Sequence, residues 1–194
     1  MNLEAVIFDL DGTVLDNEAD WEEAFVKVIA SNGIKINGEL RQLNGWLHEP
    51  GVGLETNWKR LIGGNVDEVR RWSNLTREEY RTMIGEGLVV REGLVELIEK
   101  IKERRWSTAL ATSTYWYVAE EELEELALQL AFDVTTTAEE VTLPKPDPEI
   151  YLLTAQKLGV EPANCVVIED SIGGVRAGIE AGMKVVGLES EYAP

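Results

Sequence analysis

The chain has 194 residues and a single cysteine, Cys165, so an intramolecular disulfide is excluded. Disulfides are typical of oxidising compartments, and a chain that cannot form one fits a reducing compartment. Cys165 opens the apolar run at residues 165–168. That run predicts a buried, inert thiol rather than a nucleophile.

Long apolar runs are also missing. No run approaches the roughly 20 residues that a helix needs to span a bilayer. The first residues show no basic stretch followed by an apolar core, so we expect no secretory signal. These absences predict a soluble, cytoplasmic protein with no membrane partner.

Basic residues are scarce relative to acidic ones. Lys and Arg together number 18 against 36 Asp and Glu, which gives a formal net charge of -18. This balance argues against nucleic acid or an anionic membrane as a partner. An anionic substrate would therefore need cations placed locally at its binding site. We expect a monomer.

Short apolar runs predict strands that are buried on both faces. Four such runs lie at residues 5–8, 108–111, 165–168 and 185–188, and a weaker one covers residues 132–135. Helical patterns separate them, with one apolar face at Leu94, Leu97, Ile98 and Ile101 and another at Leu123, Leu126, Ala127 and Leu130. A third helix is predicted to begin with Asp147 as N-cap and Pro148 in its first turn, and to end at Gly159. Strands that alternate with helices predict an α/β fold with a doubly wound parallel sheet.

Residues 17–87 interrupt this alternation, because they contain no strand pattern. Apolar faces predict one helix that ends near Gly33 and another around Trp58, and Thr76-Arg77-Glu78-Glu79 reads as a capping box that opens a third. We therefore predict a core domain formed by residues 1–16 and 88–194, with an inserted all-helical domain at residues 17–87.

Polar residues follow the carboxyl ends of the predicted strands, where chemistry takes place in open parallel sheets. Four of them are carboxylates, whose mutual repulsion requires a cation between them. A few carboxylates, water and a phosphate oxygen suit Mg²⁺. Lys145, in the proline-bounded loop at residues 143–148, adds a positive charge, and the combination favours phosphoryl transfer. The strand-end residues are Asp9, Asp11, Thr112, Ser113, Glu169 and Asp170.

Each of these positions also has a structural interpretation. Asp9 and Asp11 could be strand-end acids, Thr112 could terminate a strand, Asp170 could cap a helix and Lys145 could be a surface lysine. The four motifs in order favour the functional interpretation.

The motifs together resemble the haloacid dehalogenase (HAD) superfamily. They are DLDGT at residues 9–13, ATS at 111–113, KPDP at 145–148 and VVIEDSIGGVRAGIEAGM at 166–183. The chain is most similar to the phosphatase and β-phosphoglucomutase-like branch, in which a helical cap follows the first motif. The resemblance implies a Rossmann-like core and a small phosphorylated metabolite as substrate.

The resemblance also implies residue roles. Asp9 would be the nucleophile that becomes an aspartyl phosphate, and Asp11 would be the general acid and base. Thr112, the Ser113 amide and Lys145 would hold the phosphoryl group.

A magnesium site is implied by the same resemblance. Mg²⁺ would be held by the Asp9 carboxylate, the Asp11 carbonyl and Asp170, with Glu169 supporting it through water. In the glycine-rich loop at residues 45–53, Trp46 and His48 would be candidates for contact with the leaving group.

The acceptor of the phosphoryl group separates a hydrolase from a mutase. β-Phosphoglucomutases carry a histidine in a pattern like D-T-x-x-x-H-x-x-A-W, where this chain has Trp21, and a Ser-Lys-Asn segment where it has Thr114-Tyr115-Trp116. Both departures favour water as acceptor, so the sequence predicts a phosphatase acting on a sugar or polyol phosphate. A sugar phosphomutase is the alternative, and a binding protein that has lost turnover also stays open.

Overall fold

The computed structural model of the chain describes residues 2–36, 46–84 and 87–189. Within them, five parallel strands form one sheet in the order β3-β2-β1-β4-β5. The predicted doubly wound parallel sheet is confirmed. The strands are β1 Ala5–Phe8, β2 Ser107–Ala111, β3 Val134–Thr136, β4 Cys165–Glu169 and β5 Lys184–Gly187.

The sheet is covered on both faces at its central strand β1. Its side chains alternate, so Val6 and Phe8 join one core cluster and Ala5 and Ile7 join the other. Helices α4 (Leu94–Glu103) and α5 (Trp116–Glu125) contribute to the first cluster. Helices α6 (Glu149–Leu158) and α7 (Ile172–Glu180) contribute to the second. All four residues of β1 are buried, which explains its continuous apolar sequence. The edge strand β5 is largely exposed, with Val186 at 49%, so the predicted burial of the run at residues 185–188 is wrong.

A helical segment lies between β1 and α4. It comprises α1 (Glu18–Asn32), α2 (Leu54–Ile62) and α3 (Val66–Ile84), and no strand occurs among the described residues from 18 to 84. Gly33 ends α1 in the left-handed conformation that glycine adopts at little cost. In the described part of the chain, no helix is both long enough and apolar enough to cross a membrane.

The predicted capping box at Thr76 is wrong, because α3 runs without a break through this position. Thr76 is fully buried, and its hydroxyl donates to the carbonyl of Trp72 one turn earlier at 2.9 Å. The same hydroxyl accepts the indole N–H of Trp58 at 2.9 Å. A threonine whose hydroxyl has partners in a helix interior need not open a helix.

Two predicted helix ends also differ from the structure. Helix α5 ends at Glu125, because Ala127 adopts a left-handed conformation with φ of 54°. Leu126, Ala127 and Leu130 therefore do not extend its face. Helix α6 begins one residue later than predicted, with Pro148 as N-cap, because the Asp147 carboxylate accepts the N–H of Glu149 in a turn ahead of the helix.

Cys165, the first residue of β4, is free and buried. Burial raises the pKa of its thiol to about 11, so little of the reactive thiolate forms near neutral pH. The inert thiol predicted from the apolar run agrees with this environment.

Trp58 packs in the apolar core of the helical segment, so truncating its side chain should destabilise the protein. It is fully buried, and its ring stacks against Phe25 with the centroids 5.1 Å apart. We expect Trp58→Ala to lower the free energy of unfolding by about 3–5 kcal/mol, measured by urea denaturation. Trp116→Ala is the matched control, because Trp116 is 42% exposed. Equal losses in the two variants would contradict this account of the packing.

Candidate active site

Lys145 lies at the centre of a buried charge cluster rather than on the surface. Its ammonium donates to Asp9 Oδ1, to Glu169 Oε1 at 2.7 Å and to the carbonyl of Ala111 at 3.0 Å. These three partners end or follow β1, β4 and β2, which are neighbours in the sheet. Burial by itself lowers the pKa of Lys145, but the charges of Asp9 and Glu169 outweigh burial and raise that pKa well above its usual value.

Glu169 has hydrogen-bond donors on both carboxylate oxygens. Besides Lys145, Oε1 accepts the hydroxyl of Tyr151 at 2.9 Å. Oε2 accepts the backbone N–H and the hydroxyl of Ser171, both at 2.9 Å. Although burial alone would raise the pKa of Glu169, Lys145 and Ser171 lower it, so its carboxylate is held ionised as the partner of Lys145.

Asp170 also belongs to this cluster. Its Oδ1 accepts the hydroxyl of Thr13 at 3.0 Å, whereas its buried Oδ2 has no hydrogen-bond partner among the described residues. Burial, with the charges of Glu18 and Glu169, raises the pKa of Asp170 to about 7. Ser171, not Asp170, caps helix α7, so the alternative role of Asp170 as N-cap does not apply.

The cluster has carboxylate oxygens that could bind a divalent cation. One carboxylate oxygen each from Asp9, Glu169 and Asp170 lies within 4.8 Å of the others. Burial raises the pKa of Asp9, and a cation would offset that cost. A Cβ on Gly12 would lie only 2.2 Å from Asp170 Oδ2, so glycine at this position lets the Asp170 carboxylate approach the backbone after β1. Three carboxylates and one ammonium leave two negative charges when all are ionised, which suits a divalent cation.

Asp11 points away from this cluster and is held by three donors. Its Oδ1 accepts from Asn17 Nδ2 and from the indole of Trp21, each at 2.7 Å, and its Oδ2 accepts the hydroxyl of Thr114 at 2.6 Å. Thr114 follows β2, whereas Asn17 and Trp21 lie at the start of the helical segment. Asp11 was predicted from its motif, but these three hydrogen bonds were not.

The remaining predicted strand-end residues, Thr112 and Ser113, follow β2, which is paired with β1. Thr112 is fully buried, and its hydroxyl accepts the N–H of Thr114 at 3.0 Å. The Ser113 hydroxyl donates to the carbonyl of Gly51 at 3.1 Å, which links the core to the loop ahead of α2. The strand pairing therefore brings both residues to the edge of the sheet where Asp9 lies.

A cavity between the core and the helical segment opens onto Asp9. Core residues form its floor, and α1, α2, α3 and the loop before α2 form its walls. His48 lines it and Trp46 does not, although their rings lie 6.2 Å apart. The lining residues are Asp9, Asp11, Glu18, Trp21, His48, Glu49, Gly51, Gly53, Leu54, Asn57, Arg77, Ser113 and Thr114.

The loop that carries His48 is fastened to α1 by two glutamates. The His48 Nε2 lies 2.8 Å from Glu18 Oε2, and its Nδ1 lies 3.5 Å from Glu22 Oε2. Glu22 also accepts the backbone N–H groups of Leu47 and His48. Burial alone would lower the pKa of His48, but Glu18 and Glu22 raise it to about 9, so the imidazole is a buried cation at neutral pH.

The same loop rests on the core at Gly51. This residue has a positive φ of 76°, and a Cβ added to it would lie 2.1 Å from the hydroxyl oxygen of Ser171. Val52 lies close to Gly173, the second residue of α7. Glycine at position 51 is thus required both by backbone conformation and by the close approach of the two segments.

Arg77 is a cavity residue that the sequence analysis did not single out. Its side chain is 3% exposed, its guanidinium lies over the ring of Tyr115 at 3.8 Å, and it donates to Glu55 at 2.5 Å and to Asn74 at 3.0 Å. The wrong helix start at Thr76 concealed it, since Arg77 was placed in a capping box rather than in a helix interior.

A family model matches most of the chain and identifies the family of the protein. The model for haloacid dehalogenase-like hydrolases matches residues 3–182, so the chain belongs to this family. The resemblance found in the motifs is thereby confirmed.

Relatives of the chain within this family indicate the kind of hydrolase. The chain is 36% identical over 183 residues to the phosphorylated carbohydrates phosphatase of Thermotoga maritima, covering 94% of this chain and 83% of that one. It is 32% identical over 189 residues to hexitol phosphatase B of Escherichia coli, covering 94% and 82%. CbbY of Rhodobacter sphaeroides, solved with phosphate, shares the fold with a TM-score of 0.84 and 26% identity, covering 98% and 88%. The chain is a phosphoric monoester hydrolase, as predicted.

The cation site predicts a measurable effect of Asp170→Asn on metal binding. We expect saturating Mg²⁺, near one hundred times its dissociation constant, to raise the melting temperature of the wild-type protein by about 5–10 °C. Asp170→Asn should lose most of that shift and should melt no lower than the wild type without metal, because it removes a buried charge. Asp67→Asn, on an exposed position of α3, should respond like the wild type. A full Mg²⁺ shift in Asp170→Asn would contradict the site.

The buried His48 cation predicts a pH-dependent stability. The folded-state pKa of about 9 lies above the ordinary value of 6.5, so the folded state is favoured by protonation. This contribution, about 3 kcal/mol, is complete below about pH 6.5 and is lost as the pH rises through 9. The difference in unfolding free energy between the wild type and His48→Gln should therefore shrink between pH 6 and pH 10. A constant difference would exclude a protonated His48.

Proposed function

We propose that the chain is a Mg²⁺-dependent phosphatase that hydrolyses a sugar or polyol phosphate through an aspartyl phosphate on Asp9. The observation that carries the proposal is the buried Asp9 carboxylate, which lies at the floor of the cavity and is bonded to Lys145. A carboxylate held against a fixed cation is oriented for attack on phosphorus.

The reaction proceeds in two displacements. An Asp9 oxygen attacks phosphorus, the bond from phosphorus to the ester oxygen breaks, and Asp11 gives its proton to the departing alcohol. Water then attacks the aspartyl phosphate and passes a proton to Asp11, which releases inorganic phosphate and restores both carboxyl groups. Lys145, the Thr112 hydroxyl and the Ser113 amide bind the phosphoryl oxygens, whose charge they stabilise.

The metal is assigned to the carboxylate cluster. Asp9, the backbone carbonyl of Asp11 and Asp170 would hold Mg²⁺. Glu169, the partner of Lys145, would support the ion through a water molecule. The bound ion would supply positive charge to the phosphoryl oxygens and lower the repulsion between the substrate and this acidic chain. The unpartnered oxygen of Asp170 supports this assignment.

A leaving group without charge fits the walls of the cavity better than a leaving group that carries a second anionic group. Glu18, Glu49 and Asp11 bring negative charge to its walls. The two cations among the described lining residues, His48 and Arg77, are already paired with glutamates. A polyol offers hydroxyl groups that donate to carboxylates and accept from a guanidinium, so it satisfies these side chains without adding charge. The names of the two phosphatase relatives agree with this chemistry.

The mutase alternative is less consistent with the residues around Asp11. Trp21 stands where the mutase pattern has histidine, and its indole donates to Asp11. An indole cannot accept a proton, so it does not take over an imidazole's acid–base role. The proposed enzyme is a cytoplasmic monomer with a small phosphorylated metabolite as its partner. Its single cysteine fits a reducing compartment.

Phosphate release from sugar, polyol and nucleotide monophosphates, with and without Mg²⁺, tests the proposal. We expect the highest kcat/KM for a sugar or polyol phosphate and loss of activity when EDTA removes the metal. Asp9→Asn should reduce kcat by about a thousandfold or more, because it removes the nucleophile. Asp67→Asn is the control for an acid-to-amide change at an exposed site.

Three outcomes would overturn the proposal. Turnover retained in Asp9→Asn would exclude the aspartyl phosphate, and absence of phosphate release from every ester would favour a binding protein. Isomerisation of β-glucose 1-phosphate in the presence of a bisphosphate primer, without free phosphate, would establish the mutase instead.

A further inference from the structure

Glu122 is a buried carboxylate that the proposed reaction does not use. It lies on α5 with no exposed surface. Its hydrogen-bond donors are the hydroxyl of Tyr80 at 2.5 Å and Asn17 Nδ2 at 3.2 Å, both uncharged, and its Oε2 has no partner in the described part of the chain. Burying a carboxyl group without a cation costs free energy. Such a group is poorly explained by stability, and its contacts point to a positioning role.

Tyr80 links Glu122 to the two hydrogen-bond donors of Asp11 that belong to the helical segment. These donors are Asn17 and Trp21. The Tyr80 hydroxyl accepts from Asn17 Nδ2 at 2.7 Å. The Tyr80 ring stacks on Trp21 with centroids 3.7 Å apart and planes inclined by 7°. Asn17 and Trp21 in turn donate to the same oxygen of Asp11.

Asn17 is oriented from two sides. Its Oδ1 accepts the backbone N–H of Gly12 at 3.2 Å, which fixes the amide so that Nδ2 faces three acceptors. The two hydrogens of Nδ2 are shared among Asp11 and Tyr80, both at 2.7 Å, and Glu122 at 3.2 Å. The residue is completely buried, so water cannot replace a lost partner easily. A change at Glu122 or Tyr80 would therefore be transmitted to the Asp11 carboxyl group.

We propose that Glu122 and Tyr80 are positioning residues that hold Asp11 in place for proton transfer, acting through Asn17 and Trp21. The inference rests on the proposed function of Asp11. Tyr80 belongs to α3 and Glu122 to α5, so the arrangement is complete only while the helical segment is packed on the core. In this way the position of the general acid depends on the contact between the two parts of the molecule.

The dependence of hydrolysis on the leaving group tests this proposal. A general acid matters for an alkyl phosphate, whose alkoxide leaves poorly, and matters little for p-nitrophenyl phosphate, whose phenolate is a good leaving group. We compare kcat/KM, which reports the step that forms the aspartyl phosphate, for sorbitol 6-phosphate and p-nitrophenyl phosphate. Asp11→Asn gives the full effect of losing the acid.

Glu122→Leu and Tyr80→Phe should both lose activity selectively toward the alkyl phosphate. We expect kcat/KM for sorbitol 6-phosphate to fall about tenfold or more and that for p-nitrophenyl phosphate to fall less than about threefold. Glu122→Gln should retain most activity, because an amide can keep the bonds to Tyr80 and Asn17. Tyr80→Phe keeps the ring stacked on Trp21, so it preserves the test if Glu122→Leu fails to fold.

Glu121→Gln is the matched control on the neighbouring residue of α5. Glu121 joins α5 to α3 through an ion pair with Arg81, and it makes no contact with the Asn17 arrangement among the hydrogen bonds of the described residues. We expect Glu121→Gln to affect both esters alike. Equal losses for both esters in Glu122→Leu and Tyr80→Phe would overturn this inference but not the proposed function. A wild-type protein that hydrolyses neither ester would overturn the proposed function and the inference with it.

Discussion

The site depends on one buried ammonium group. Lys145 is 2% exposed, and an unpaired charge at such a position would cost several kcal/mol. Its three acceptors come from the carboxyl ends of β1, β2 and β4, so the ammonium is compensated only when these strands are adjacent and in register. Tyr151 and Ser171 complete the hydrogen bonds of Glu169 and hold the arrangement from α6 and α7.

The sheet and the cluster of strand-end residues could be predicted because both follow from local patterns. A buried parallel strand is a short continuous apolar run, and a polar residue directly after it must lie at the carboxyl edge of the sheet. Asp9, Thr112 and Asp170 each meet this condition, so topology alone brings them together. Lys145 has no such strand. Only its motif and flanking prolines pointed to it, and its burial could not be read from the sequence.

Other features were missed where a residue's partner is distant along the chain. Thr76 matches a capping box, but its hydroxyl is satisfied inside α3 and by Trp58. Glu122 lies in an acidic run at residues 120–125, a pattern typical of a solvated helix face, yet its side chain turns inward to Tyr80. In both cases the deciding hydrogen bond joins separate elements, and no periodicity in the sequence reports it. The contacts of Asp11 were missed for the same reason.

The close approach of Gly51 to Ser171 limits how this enzyme could be diversified. The loop that walls the cavity is the natural target for directed evolution toward new leaving groups. Randomising the whole loop would populate the library with side chains at position 51 that cannot fit beside α7. Variation confined to Glu49 and Leu54 would explore the lining of the cavity without separating the loop from the core. Gly51 would be kept constant, and so would Asn57, whose side chain binds the loop backbone.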